Sequence, residues 1–189
     1  MEDRLEIRPL RRLDMDAVRP VLSGYESAEK YTVEWSDSAE RTRFEIRLVR
    51  LKQPYRKSFE EDIQPEDLRR YEEYLAEGFS FGAYAGGRLA ALAIAEAERW
   101  NRSLRVWEFH VAREYRRQGV GRALMERVLA RAAEEGLRIV YLETQNTNVP
   151  AIRFYRAMGF RLEALDLSFY TNRDLEDGEV AFFMKRRLE

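Results

Sequence analysis

The sequence predicts a single mixed α/β domain that spans all 189 residues. Three observations support this fold class. Strand-like and helix-like patterns of apolar residues follow one another along the whole chain. The run at 137–144 is predominantly apolar, which is typical of a central parallel strand covered on both faces. No repeat, low-complexity linker or break in composition divides the chain, and its length suits one hydrophobic core better than two.

The N-terminal half is predicted to contain strands that form hairpins, together with two helices. The predicted strands are 5–10, 31–35, 43–51 and a hairpin within 79–98 that turns at Gly86-Gly87. The predicted helices are 13–25 and 64–78. Pro20 weakens the first helix and Gly24 ends it, whereas Pro65 favours the start of the second helix and Gly78 its end.

The C-terminal half is predicted to alternate strands and helices. The predicted strands are 104–111, 137–144, 160–170 and 179–188, and the predicted helices are 120–135 and 148–158. Alternation in the strand at 104–111 breaks at Val106-Trp107, where two large apolar residues are adjacent. Asn148 is a suitable N-cap for the second helix. The change of phase near Ala164 predicts a β-bulge.

Charge and composition exclude several kinds of partner and of functional site. The chain has 33 basic and 34 acidic residues and a formal net charge of −1, so charge gives no reason to expect nucleic acid or an anionic membrane as a partner. It has no cysteine, which excludes disulfides, thiolate metal ligands and a cysteine nucleophile, and no metal site is predicted. The N-terminal residues lack the apolar core of a signal peptide, and no apolar run approaches ~18 residues. We therefore expect a cytoplasmic protein.

The segment REYRRQGVGRAL (113–124) has the composition of an anion-binding loop. It leads into a predicted helix, whose first backbone amides lack acceptors within the helix and whose dipole favours negative charge. Gly119 and Gly121 allow a ligand to approach the backbone closely, and Arg116 and Arg117 add positive charge. A phosphate or pyrophosphate is therefore the expected ligand.

Other phosphate-binding loops fit this segment less well. A Walker loop requires Gly-Lys-Ser/Thr, and the segment has no lysine. A dinucleotide-binding fingerprint has Gly or Ala where this chain has Leu124, and its glycines follow the strand in a tight turn, whereas the run AREYRRQ precedes Gly119 here. A structural glycine turn with solvated arginines is the remaining alternative.

Residues 116–121 match the Q/R-x-x-G-x-G/A signature of the GNAT (GCN5-related) N-acetyltransferases, and the run NVPAIRFYRAMGF (148–160) resembles that family's Asn-led helix. The flanking strands are in the family's order, so the resemblance covers an acetyl-CoA-binding core at 104–162 within a GNAT region at about 44–189. It implies a central mixed, twisted sheet of about six to eight strands, splayed between two parallel strands and flanked by helices. It also implies acetyl-CoA as the cosubstrate.

The resemblance assigns roles around this cosubstrate. In the family, the pyrophosphate of coenzyme A lies on the amides that follow the signature arginine, and the pantetheine arm pairs with the end of the preceding strand. A backbone N–H near Val111 would receive the thioester oxygen. The implied cofactor-binding residues are Phe109, His110, Val111, Arg116, Arg117, Gln118, Gly119, Val120, Gly121, Arg122, Ala123, Asn148 and Tyr155.

Acyl transfer to an amine requires a neutral nucleophile, a polarised carbonyl and a proton for the leaving thiolate. Because the chain has no cysteine, we expect direct attack within a ternary complex. The resemblance implies Tyr155 as the acid, with a packed aromatic residue as the alternative. It implies Glu108 as the base, acting directly or through water, although Glu108 could instead bind a cationic substrate. His110, the only histidine, lies on the same strand face and is a second candidate base.

The chain also resembles the streptothricin-acetyltransferase branch of the GNAT family. The similar runs are PYRKSF (54–59), the segment around the signature, and YLETQ (141–145), within a match over about 50–187. This branch implies acetylation of an amino group on a small polycationic molecule, and an antibiotic-resistance role. The chain departs from the branch at Trp107 and His110, where relatives tend to carry smaller or acidic residues.

Acidic and aromatic residues near the cleft that the family implies are consistent with a cationic acceptor. The carboxylates are Glu96, Glu98, Glu108 and Asp166, and the aromatic residues are Trp100, Trp107 and Tyr170. A solvated acidic surface and an ordinary aromatic core are the alternatives. Two other functions stay open at this point, namely acetylation of protein or peptide amines and non-catalytic binding of acyl-CoA by a sensor. Many family members pair, so a homodimer is also consistent with the resemblance.

Overall fold

The computed structural model describes residues 5–60 and 63–188. Within them the strands are β1 (Leu5–Pro9), β2 (Tyr25–Asp37), β3 (Thr42–Lys57), β4 (Phe81–Ala85), β5 (Arg88–Glu98), β6 (Ser103–Val111), β7 (Ile139–Gln145), β8 (Arg161–Asp166) and β9 (Ala181–Arg187). The α-helices are α1 (Met15–Val18), α2 (Pro65–Ala76), α3 (Val120–Glu134), α4 (Val149–Ala157) and α5 (Asp174–Asp177). Among the helices of these residues, none has both the length and the apolar character needed to cross a bilayer.

Seven strands are hydrogen-bonded in the order β1-β4-β5-β6-β7-β9-β8, and β2 and β3 form a separate two-stranded ribbon. Strands β6 and β7 are parallel, whereas the β1–β4, β4–β5, β5–β6 and β8–β9 pairs are antiparallel. The predicted fold class, a mixed sheet of this size accompanied by helices, is confirmed.

The chain divides into two compact units, and strand β7 continues from one into the other. The first unit contains the chain up to Gly24, Ser58–Leu142 and the C-terminal end from Arg186. The second unit contains Tyr25–Lys57 and Glu143–Lys185. The single domain that the sequence indicates stays a prediction.

The first unit is built around the apolar face of β5. Leu92 on this strand is fully buried and packs in a cluster with Tyr71 and Leu75 of α2. Because Tyr71 and Leu75 are four residues apart, they lie on one stripe of the helix and hold it against the sheet. The helix begins with a capping box, in which the Gln64 N–H donates to Asp67 Oδ2 at 3.0 Å.

A β-bulge interrupts β6 at Trp107. In the antiparallel pairing with β5, Ile94 is opposite Glu108, but the next residue, Ala95, is opposite Val106. Trp107 is therefore the extra residue on β6, and the bulge explains why the alternation in the sequence breaks at this point. Bulges bend and twist the strand that carries them, so the strand changes direction here.

The bulge coincides with the end of pairing between β6 and β7. The last parallel pair is Val106–Leu142, whereas the pairing of β6 with β5 continues to Val111. From Trp107 to Val111, no strand of the described residues is registered against β6 on the side away from β5. This half of β6 therefore presents an open edge, which corresponds to the splay that the family resemblance implies.

The second unit is held together by a buried amide. Asn146, which is 2% exposed and follows β7, donates from Nδ2 to the Tyr31 carbonyl at 2.7 Å. Its Oδ1 accepts from the Val180 N–H at 2.8 Å. A register shift between Leu162 and Ala164 confirms the predicted bulge in β8.

Three predicted elements differ in extent from the observed ones, and one of them, the strand predicted at 160–170, is shortened to β8 (Arg161–Asp166). The helix predicted at 13–25 is reduced to α1 and a 3₁₀ turn at Arg19–Val21, because Pro20 lacks the N–H that a continuing α-helix requires. The hairpin predicted at 31–51 is much longer and includes Tyr25 and Lys57. An irregularity in its register breaks the alternation that identifies a strand in the sequence.

We expect Asn146→Ala to lower the free energy of unfolding by about 2–4 kcal/mol, because it leaves buried backbone groups without hydrogen-bond partners. Asn172→Ala is the matched control, since Asn172 is exposed and shows no hydrogen bond in the described part of the chain. The control should change stability by less than about 0.5 kcal/mol. Urea denaturation of both variants measures the difference, and equal stabilities would contradict the role assigned to Asn146.

Candidate functional site

Helix α3 begins at an open turn. Its N-cap residue, Gly119, has a left-handed backbone with φ of 84°, and Arg117 also has a positive φ of 60°. No side chain caps this helix, and its first hydrogen bond runs from the Ala123 N–H to the Gly119 carbonyl at 3.0 Å. The amides of 120–122 therefore lack acceptors within the helix.

The space in front of this turn is open. A Cβ added to Gly119 would meet no atom within 4 Å. The N-terminal end of a helix of this length carries a partial positive charge, and its unpaired N–H groups suit phosphate oxygens. The turn therefore fits the pyrophosphate of coenzyme A, and we refer to the amides of 119–122 as the anion site.

The two arginines before the anion site differ in their partners. Arg116 donates from Nε to the Val111 carbonyl at 2.9 Å, and from Nη2 to the Gly24 carbonyl at 2.7 Å and to Ser23 Oγ at 2.9 Å. Burial lowers the pKa of Arg116, and the nearby Arg113 lowers it further. The guanidinium of Arg116 is bonded to these three oxygens, and the predicted contribution of this side chain to phosphate binding stays a prediction. Arg117 is exposed and forms no ion pair with any described residue.

Backbone groups at the open edge of β6 alternate in direction. The Ala112 N–H donates to the Ala90 carbonyl at 2.9 Å, so residues at even positions here pair with β5. Hydrogen-bonding direction alternates along a strand, so the N–H groups of Phe109 and Val111 point to the open edge and that of His110 points to β5. Three residues of this strand are predicted to contact pantetheine. Of these, Phe109 and Val111 have N–H groups that point to the edge at which an amide-containing ligand would pair.

Glu108 and His110 lie on the same face of β6 and are hydrogen-bonded. The Glu108 Oε2 atom is 2.7 Å from His110 Nε2, and Glu108 Oε1 accepts a hydrogen bond from the phenol of Tyr71. Burial raises the pKa of Tyr71, and the Glu108 carboxylate raises it further. The phenol therefore keeps its proton and acts as a donor. The side chains of His110 and Glu108 are 11% and 17% exposed.

Two further carboxylates lie on β5. Glu96 accepts from Trp107 Nε1 at 2.8 Å, and Glu98 accepts from the Tyr141 phenol at 2.5 Å. Burial raises the pKa of Tyr141, and the hydrogen bond to Glu98 raises it further. Within the described ranges, Glu96, Glu98 and Glu108 form no ion pair with a lysine or arginine. Arg105 is opposite Glu96 in the β5–β6 pairing, so it offsets part of the negative charge of this group without forming an ion pair.

The predicted cation–π faces are partly occupied by the chain's own cations. The guanidinium carbon of Arg105 lies 3.5 Å from the centre of the Trp107 ring, and Lys57 Nζ lies 5.6 Å from the centre of the Tyr170 ring. Trp100 is 87% exposed in the turn between β5 and β6. Trp107 and Tyr170 therefore already contact internal cations, and their role in binding a cationic ligand stays a prediction.

The predicted residues of the second unit lie on or near α4. Asn148 caps this helix, and its Oδ1 accepts from the Ala151 N–H at 3.2 Å. Tyr155 is 6% exposed, and its ring centre lies 5.4 Å from that of Phe154 and 5.9 Å from that of Phe160. The packed aromatic environment considered for Tyr155 is present, and its role as an acid stays a prediction.

Sequence reasoning missed Tyr71 as a partner of Glu108. In the sequence, Tyr71 is only one member of the apolar stripe of α2, and nothing in that pattern indicates where its hydroxyl points. It also missed that Arg116 donates hydrogen bonds to Ser23 and Gly24.

The predicted carboxylate Asp166 lies at the end of β8, where its Oδ1 accepts from the Ser168 N–H at 2.9 Å.

Comparison with known proteins supports the chemistry that the anion site suggests. Residues 47–160 match the model of the acetyltransferase (GNAT) family. The chain is 31% identical to a streptothricin acetyltransferase of Streptomyces lavendulae over 180 residues, which is 95% of this chain and 93% of that protein.

Solved structures give the same result. A crystal structure of nourseothricin acetyltransferase superposes with a TM-score of 0.78 at 31% identity, covering 98% of this chain and 99% of that one. A streptothricin acetyltransferase-like protein from Bacillus anthracis, solved in complex with acetyl coenzyme A, has the same fold, with a TM-score of 0.75 at 23% identity and complete coverage of both chains. The chain therefore belongs to the acetyltransferase (GNAT) family and is an acetyl-CoA-dependent N-acetyltransferase.

Proposed function

We propose that this enzyme acetylates a primary amine of a small polycationic molecule, and that streptothricin-like antibiotics are the first class to test. The observation that carries the proposal is the set of three carboxylates, on Glu96, Glu98 and Glu108, that have no lysine or arginine partner in the described chain. Glu96 and Glu98 share the face of β5 that carries Ile94, and Glu108 is the residue opposite Ile94. These charges favour a ligand with several positive groups.

In the proposed complex, acetyl-CoA binds the first unit along two adjacent features. Its pyrophosphate accepts hydrogen bonds from the anion site, where Arg117 adds positive charge. Its pantetheine arm pairs with the open edge of β6, at the amides of Phe109 and Val111. The Val111 N–H then donates to the thioester oxygen and stabilises the negative charge that develops there. Asn148 is proposed to contact the same arm.

The proposed reaction is direct attack by the amine on the thioester carbonyl. The ammonium group of the acceptor first loses a proton through the Glu108–His110 pair. The neutral nitrogen then forms the C–N bond, the C–S bond breaks, and sulfur leaves with the bonding electron pair. Tyr155, which stands at the tyrosine position of the family's FY…GF helix, is proposed to protonate the thiolate.

We expect Gly121→Glu to abolish the rise in melting temperature that acetyl-CoA causes, because a carboxylate on the first turn of α3 would repel the pyrophosphate from the anion site. The protein should stay folded, since an acidic residue in the first turn of a helix contributes about 0.3–1 kcal/mol of stability. Ala130→Glu is the matched control, because Ala130 is exposed near the other end of the same helix. A retained shift in Gly121→Glu would argue against the anion site.

We expect Tyr155→Phe to lower kcat by about 10- to 100-fold and to leave the KM for acetyl-CoA nearly unchanged, because the phenol proton is used only when the thiolate leaves. Tyr84→Phe is the control for loss of a hydroxyl, since Tyr84 lies on β4 and has no assigned role in the reaction. Steady-state kinetics measure both variants. Equal turnover of Tyr155→Phe and wild type would remove Tyr155 as the acid.

We expect a thiol-release assay to show acetyl transfer to nourseothricin, with weaker transfer to short peptides, because a polycationic acceptor has several positive groups for the carboxylates that form no ion pair with lysine or arginine. Aminoglycosides and polyamines complete the panel as other cationic acceptors. Raising the salt concentration should increase the KM for the preferred acceptor, since exposed charge interactions are screened. Preference for a peptide with a single amine would refute the proposed acceptor class.

A further inference from the structure

The bonding around Glu108 bears on the identity of the general base. Both of its carboxylate oxygens have partners, namely the Tyr71 phenol at Oε1 and His110 Nε2 at Oε2. We propose that His110 takes the proton from the acceptor amine, and that Glu108 and Tyr71 are positioning residues that act through it. This inference rests on the acetyl transfer proposed above and specifies the base of that reaction.

Hydrogen-bond chemistry fixes which nitrogen of His110 is available. An ionised carboxylate can only accept, so a hydrogen bond between Glu108 Oε2 and His110 Nε2 requires the proton to be on Nε2. In the neutral imidazole, the lone pair that can accept a proton is then on Nδ1. The Tyr71 phenol donates a hydrogen bond to the second oxygen of Glu108, Oε1. With both oxygens bonded, the plane of the Glu108 carboxylate is fixed relative to His110.

The Nδ1 atom is also not fully buried. No hydrogen bond to it is present in the described part of the chain, yet no buried side-chain nitrogen or oxygen there lacks a partner. Nδ1 must therefore be in contact with solvent. The edge contact between the Phe59 and His110 rings, whose centres are 5.5 Å apart, fixes the orientation of the imidazole on its other side.

The arrangement resembles the division of roles in other acid–base sites. A carboxylate bonded to one imidazole nitrogen holds the tautomer and stabilises the imidazolium, and the opposite nitrogen exchanges protons with the substrate. Here α2 supplies Tyr71, which is 3% exposed, and β6 supplies both Glu108 and His110. Arg70 is also hydrogen-bonded to the Tyr71 phenol, so this chain of hydrogen bonds includes a cation beside these three groups.

The protons balance in the resulting reaction. The acceptor ammonium transfers one proton to His110 Nδ1, and the neutral amine forms the C–N bond while the C–S bond breaks. The leaving sulfur takes a proton from Tyr155, and the second proton of the nitrogen restores Tyr155. The imidazolium releases its proton to water, so each turnover produces the acetamide, free coenzyme A and one proton.

The first test is chemical rescue with nourseothricin as the acceptor. We expect His110→Ala to lower kcat by about 100-fold or more, and added imidazole to restore at least about tenfold of that loss. We expect Tyr71→Phe to lower kcat by a smaller factor, and the KM for acetyl-CoA to stay unchanged in both variants. The acetyl-CoA melting shift confirms that each variant is folded and binds the cosubstrate. If formate rescues Glu108→Ala while His110→Ala turns over like wild type, Glu108 is the base and the inference is overturned.

A second test does not depend on activity. Because the chain has one histidine, the ¹⁵N resonances of the imidazole in untagged protein belong to His110 without further assignment. We expect the neutral form to carry its proton on Nε2 and to lose this preference in Glu108→Ala. A proton on Nδ1 in the wild type would overturn the inference. If wild-type enzyme does not acetylate nourseothricin, the acceptor proposal fails, and the tautomer still decides the role of the imidazole.

Discussion

The predicted acetyl-CoA site depends on the point at which β6 and β7 stop pairing. The bulge at Trp107 adds a residue to β6, and the parallel ladder ends at the Val106–Leu142 pair. The following residues keep their bonds to β5 and so remain in a rigid strand, and the Val111 N–H points to the other edge. A sheet edge of this kind is the part of a protein that pairs with an extended, amide-containing ligand. The same break therefore creates the binding edge and preserves its rigidity.

The backbone at the end of the open edge, where β6 leads into the anion site, is held in position by a side chain. That side chain is Arg116, whose guanidinium binds the Val111 carbonyl together with Ser23 and Gly24. Hydrogen bonds to a charged group contribute about 1.5–3 kcal/mol each, which is enough to hold this carbonyl in place. Since the N–H and carbonyl of Val111 point to the same edge, fixing the carbonyl also fixes the direction of the N–H. The signature arginine therefore holds the backbone of Val111, the residue proposed to contact the thioester.

Some features that depend on local sequence were predicted correctly, although the helix at 13–25 was not, and contacts between distant residues were missed. The Asn148 cap and the bulge near Ala164 are each encoded within a few residues. By contrast, Tyr71 and Glu108 are 37 positions apart. Apolar periodicity shows that Tyr71 faces the core but gives no information about which strand its hydroxyl meets. The partners of Arg116 were missed for the same reason, since Ser23 is 93 positions away.

Trp107 and His110, two ring residues of β6, have related effects. The Trp107 indole donates to Glu96, and the His110 imidazole is bonded to Glu108, so each residue is a ring partner of a carboxylate. A hydrogen bond to a ring nitrogen fixes the position of the carboxylate without an ion pair to arginine or lysine. The face formed by β5 and β6 can therefore remain attractive to a cation while its acids are held in fixed positions. At Glu108 the ring partner is the imidazole of His110, which is itself a base. The imidazole nitrogen that is not bonded to Glu108, Nδ1, is therefore held close to the negative charge of that carboxylate.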